Sequence, residues 1–111
     1  MKNKIIHNKL VRDKIPEKIK NGGELALTKI LDDKSYQESL NEKLIEECNE
    51  LFLATNNNAK TEELADILEV LKAIADNYDI TMEEVEKARL LKLEKLGAFK
   101  NKFYLESTMS K

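Results

Sequence analysis

Four carboxylates stand out in this chain as two pairs, Glu47 with Glu50 and Glu63 with Asp66, three residues apart within each pair and separated by twelve residues. Acids three apart on a helix project in neighbouring directions. Facing one another without a cation between them, such groups repel or take up protons. Hard oxygen donors suit Mg²⁺ or Mn²⁺ with water completing the shell, and a single His and a single Cys argue against zinc. Spacing alone decides little, since a chain with 21 acids among 111 residues contains about four such pairs by chance. Core-edge acids paired with Lys or Arg are the structural alternative. Direction is what raises the functional reading.

The elements that must aim these acids are helices. Charged residues at 36%, aromatics at 5%, 3 Gly and 1 Pro fit long amphipathic helices better than a β-sandwich, and leave little material for a glycine-rich phosphate loop. Asp13 to Lys20, with Pro16 in its first turn and Asn21-Gly22-Gly23 as a stop, reads as one short helix. Ser35 with Glu38 forms a capping box that opens a helix to about Thr55, which Asn56-Asn57-Asn58 ends. Thr61 caps the next helix, to about Tyr78, and Thr81 with Glu84 opens the last, which runs to about Leu96 and closes at Gly97. Ile80 and Val85 are placed to act as its hydrophobic staple. Glu24 to Leu31 reads as a short strand or arm that pairs with Lys102 to Glu106. The expected fold is all-α: one domain spanning residues 1–111, an antiparallel bundle of three long helices and one short N-terminal helix, with a minor two-stranded extension.

At about 100° per residue, Leu40, Leu44, Cys48 and Leu51 make the apolar stripe of the second helix, and Glu47 falls inside it. Glu50 lies on the flank of that stripe, with Glu46 and Glu42 further toward solvent. In the third helix Leu64, Ile67, Leu68, Leu71, Ile74, Ala75 and Tyr78 form the stripe, with Glu63 on its margin and Asp66 one step round. Antiparallel packing would bring the four acids together.

Charge is distributed unevenly around that centre. The net charge is -2, too balanced for general nucleic-acid binding through a wholly basic surface. Residues 1–20 carry a net +5, residues 38–69 a net -7 and residues 87–102 a net +5. An acidic middle between basic ends suits a metal with a polyphosphate; alternating charge blocks on solvated helix faces are the plain alternative. No apolar stretch approaches 18 residues, one cysteine cannot form an internal disulfide, and no signal-peptide core follows Met1 to Ile6, so a soluble cytoplasmic chain is expected.

The segment Glu47-Cys48-Asn49-Glu50, followed after twelve residues by Glu63-Leu64-Ala65-Asp66, resembles the ExxE and ExxD signature of the all-α nucleoside triphosphate pyrophosphatases of the MazG type, whose relatives include the phosphoribosyl-ATP pyrophosphohydrolases. Asn8 to Pro16 is similar to the opening of a small single-domain branch, and Glu62 to Val70 to its central helix. Leu96-Gly97-Ala98-Phe99 departs from the Arg-Gly-Gly-Phe-like turn of that branch, leaving no arginine at Leu96. The resemblance implies Mg²⁺-dependent cleavage between the α and β phosphates of a nucleoside triphosphate, with Glu47, Glu50, Glu63 and Asp66 as ligands. Glu46 and Glu50 are the unranked candidates for the base that accepts the water's proton. Lys9, Arg12, Lys14, Arg89 and Lys92 are the available phosphate-binding cations, Arg12 first among them. His7 reads as an arm residue and Cys48 as core, and Tyr36, Phe52, Tyr78 and Phe99 as packing aromatics. A chain this short, with inward acids, is expected to form a homodimer or higher homo-oligomer, as the resemblance also implies. Phosphoribosyl-ATP hydrolysis and a non-catalytic helical interaction module are the competing functions.

Overall fold

The computed structural model describes residues 3–111, which contain four helices in the order α1 (Ile15–Asn21), α2 (Asp33–Leu53), α3 (Asn57–Asn77) and α4 (Met82–Leu96). The chain divides into two units, Met1–Asp79 and Ile80–Lys111. No strand is present among the described residues, so the expected pairing of Glu24–Leu31 with Lys102–Glu106 is corrected. An isolated two-stranded ribbon is marginal without a face to cover. Here Leu27 stands 96% exposed, with Leu25 and Ile30 also exposed in a segment outside any helix or strand.

In the first unit, α1 begins at Ile15, two residues after the expected start, with Pro16 in its first turn as expected, and ends at the expected glycines. The Gly23 amide donates to the Lys20 carbonyl and the Glu24 amide to the Ile19 carbonyl, while Gly23 takes φ 92°. That paired pattern needs a left-handed residue at its centre, which glycine supplies without a Cβ clash. The start of α2 differs from expectation. Asp32, not Ser35, is the cap: its carboxylate accepts the Ser35 amide at 2.8 Å, and the bond holds its pKa below the usual carboxylate value. An acid preceding the first turn also meets the positive end of the helix dipole. The start of α3 differs similarly. Asn56 is its cap, accepting the Ala59 amide at 2.8 Å, whereas Thr61 lies inside the helix and donates its hydroxyl to the Asn57 carbonyl. The asparagine run therefore opens α3 directly, and only Ala54–Asn56 separate the two helices.

This short link turns α2 and α3 into an antiparallel hairpin. Gln37 near the start of α2 accepts a hydrogen bond from Asn77 at the end of α3, at 2.7 Å. Leu40 on α2 and Val70 on α3 are the larger buried apolar side chains, with Ala75 also buried. The face of α3 that is covered runs through Glu63, Ile67, Val70 and Ile74, while Leu64, Leu68, Leu71 and Tyr78 of the expected stripe are exposed. Its apolar arc is wider than the face α2 can cover.

In the second unit α4 starts as read, with the Thr81 hydroxyl accepting the Glu84 amide at 3.1 Å, and stops at Gly97 with φ 84°.

Candidate metal centre

Four turns into α2, its covered face carries Glu47, 6% exposed and the one buried charged residue among those described. Because the hairpin is antiparallel, the equivalent level of α3 is its second and third turns, where Glu63 and Asp66 sit. One carboxylate oxygen from each of Glu47, Glu63 and Asp66 lies within 4.8 Å of the others, and the same holds for Glu46, Glu47 and Glu50. Glu47 belongs to both groups and joins them. All four acids singled out for metal binding are therefore brought together, with Glu46 beside them.

Their electrostatics are those of a crowded site. Desolvation raises the Glu63 carboxyl to about 7, helped by the neighbouring Glu50 and Glu47 carboxylates. Desolvation also pushes Glu47 upward, assisted by Glu50, while Lys43 opposes the shift. Glu47 Oε2 and Glu63 Oε2 are shielded from solvent and have no hydrogen-bond partner among the described residues. Buried polar atoms are almost always paired, so two shielded, unpartnered carboxylate oxygens in one acidic cluster make these residues a chemically suitable donor set for a cation.

Three cations border the cluster. Lys43 reaches Glu46 Oε2 at 3.4 Å and Glu47 Oε1 at 3.5 Å, so one Glu47 oxygen is paired within its own helix while the other, Oε2, is shielded and has no partner among the described residues. Lys43 was not among the functional residues expected from sequence, although its positions three and four residues before Glu46 and Glu47 are the signal for such pairs. Lys9 approaches Glu46 Oε1 at 3.9 Å, and Arg12 Nη2 donates to Asp66 Oδ1 at 2.6 Å. The basic opening segment thus lies against the acidic side of the hairpin, with Leu10, Val11, Ile15, Pro16 and Ile19 half-buried along it.

The other expected phosphate groups are placed differently. Lys14 is exposed at the N-cap of α1. In the second unit Lys92 is exposed and Arg89 grips Glu86 on its own helix, Nε lying 3.0 Å from Oε2, which depresses the Glu86 pKa. A concavity walled by Gly97, Phe99, Lys102 and Phe103 contains no acid. Comparison with known proteins returns nothing similar: no protein family, no curated protein and no solved structure matches the chain.

Proposed function

We propose that the chain is a nucleoside triphosphate pyrophosphohydrolase that uses Mg²⁺, or Mn²⁺, held by Glu47, Glu50, Glu63 and Asp66. The observation that carries this reading is that Glu47 and Glu63, on facing helices and with carboxylate oxygens within 4.8 Å of each other, each have a shielded oxygen, Oε2, without a hydrogen-bond partner among the described residues. The likeness of Glu47–Asp66 and of Asn8–Pro16 to the MazG-type pyrophosphatases supplies the reaction class. A divalent ion bound there would neutralise phosphate oxygen charge and make a water more acidic.

The chain's own groups supply the rest. Glu47 is held from one side by Lys43, so its free oxygen keeps a set direction. Glu46 is engaged by Lys43 and Lys9, whereas Glu50 is exposed and, among the described residues, paired with no cation. That difference favours Glu50 over Glu46 for accepting the proton of the attacking water. Lys9 and Arg12 border the site and are placed to meet phosphate oxygens. Antiparallel copies of the chain, in a cytoplasmic setting, would complete the bundle.

A panel of triphosphates with Mg²⁺, scored for pyrophosphate and monophosphate, tests the activity. Glu47→Gln and Asp66→Asn should abolish divalent binding in calorimetry and pyrophosphate release while leaving far-UV circular dichroism unchanged. If both variants bind Mn²⁺ as tightly as the parent, the acids are structural and the chain is a helical interaction module. Turnover restricted to phosphoribosyl-ATP would assign the narrower activity.

A further inference from the structure

We infer that Arg12 is an exchangeable cation, paired with Asp66 when no metal is bound and transferred to substrate phosphate when Asp66 becomes a ligand. The inference rests on the metal-site reading above and adds to it a coupling between metal and nucleotide loading. Arg12 and Lys43 both neutralise the acidic cluster, but in different ways. Lys43 sits on α2 itself, its side chain 18% exposed and shared between Glu46 and Glu47, so it cannot leave without stranding a buried carboxylate. Arg12 comes from outside the hairpin, its side chain 58% exposed, and bonds one oxygen of a half-exposed acid. Exposed ion pairs are among the weakest stabilising contacts, so this one breaks readily.

Asp66 Oδ1 cannot serve fully both a guanidinium and a divalent ion. Whatever draws that carboxylate toward a metal weakens its bond to Arg12, and by linkage the guanidinium opposes metal binding by the same factor. Half-buried Leu10, Val11 and Ile15 keep the backbone of the segment against the hairpin, so a released Arg12 side chain stays beside the site. There it meets the triphosphate as a planar, permanently charged donor. The alternative is a fixed role in which Arg12 orients Asp66 for the metal and never leaves it.

The two roles predict opposite signs. Calorimetric titration of the full chain with Mn²⁺ alone should show Arg12→Ala binding about two- to fivefold more tightly than the parent, the range expected for removal of one exposed pair. Lys18→Ala, on the same basic segment, should bind Mn²⁺ as the parent does and subtracts general electrostatics. With Mn²⁺ saturating, a triphosphate carrying a non-hydrolysable α,β-methylene bridge should bind Arg12→Ala at least about tenfold more weakly, through loss of a charge-assisted contact. Weaker or unchanged Mn²⁺ binding in Arg12→Ala, or parental affinity for the analogue, would overturn the exchange while leaving the metal site standing. A parent that binds no Mn²⁺ removes the site and the exchange together.

Discussion

Glu63 is the residue whose charge depends most on what faces it. Its carboxyl is raised from an ordinary 4.5 to about 7 by desolvation and by Glu50 and Glu47. A carboxyl that binds protons more tightly when folded lowers stability as pH rises, because the native state holds the proton that the unfolded chain has released. The loss therefore accumulates between about pH 4.5 and about pH 7. Metal-free protein should melt at a higher temperature at pH 5 than at pH 8, and saturating Mg²⁺ should restore stability at pH 8. Calorimetric melting of Glu63→Gln checks the assignment: its metal-free pH dependence should be markedly flatter, and an undiminished drop would place the cause elsewhere. The inward direction of Glu47 and Glu63 was legible because helical period reports direction. The cations of the site were less so. Arg12 was singled out for phosphate, yet its bond to Asp66 spans 54 residues, and no local pattern reports a pairing at that distance.

At the scale of the elements, the site depends on how α2 and α3 are joined. Because the linker is only three residues, the cap at Asn56 sets where α3 begins and hence which of its turns stands opposite Glu47. The type of all four helices is legible in the sequence, and α4 lies within a residue of its expected bounds. The starts of α2 and α3 lie earlier than expected because Ser35 and Thr61 are each plausible caps, and local pattern cannot rank them against Asp32 and Asn56. The structure ranks them by which side chain reaches a free amide. Asn56→Ala should accordingly cost about 1 kcal/mol in chemical denaturation. Thr61→Ala, which removes only a hydroxyl bonded back to its own helix, should cost clearly less. Equal losses, or a greater loss at Thr61, would return the helix start to the later position. The strand expectation failed for a different reason: Leu25, Leu27 and Ile30 have an extended pattern, but pattern reports a face and not whether anything covers it.

At the scale of the whole molecule, the hairpin has two sides with different chemistry. From Glu47, Glu50 lies about 60° to one side and Phe52 about 140° to the other; from Glu63, Asp66 lies about 60° to one side and Leu68 about 140° to the other. In an antiparallel pair equal senses of rotation fall on the same side, so the acids share one flank and Ile45, Phe52, Leu64 and Leu68 share the opposite one. Phe52 is 74% and Leu68 59% exposed, although the stripe of α3 and Phe52 both read as core from the sequence: periodicity finds an apolar face without naming its partner. A large exposed apolar flank of this kind is the usual mark of an interaction surface. A second copy offers the same flank, and a two-fold arrangement would pair each patch with itself and leave both acidic sides free. Sedimentation should therefore give a mass at least twice the 12.8 kDa of the chain, and Phe52→Glu with Leu68→Glu should shift the protein to monomer while far-UV circular dichroism remains helical. Because those side chains lie away from the acids, Mn²⁺ binding should survive in any helical monomer that results; a parent that sediments as a monomer ends the proposal.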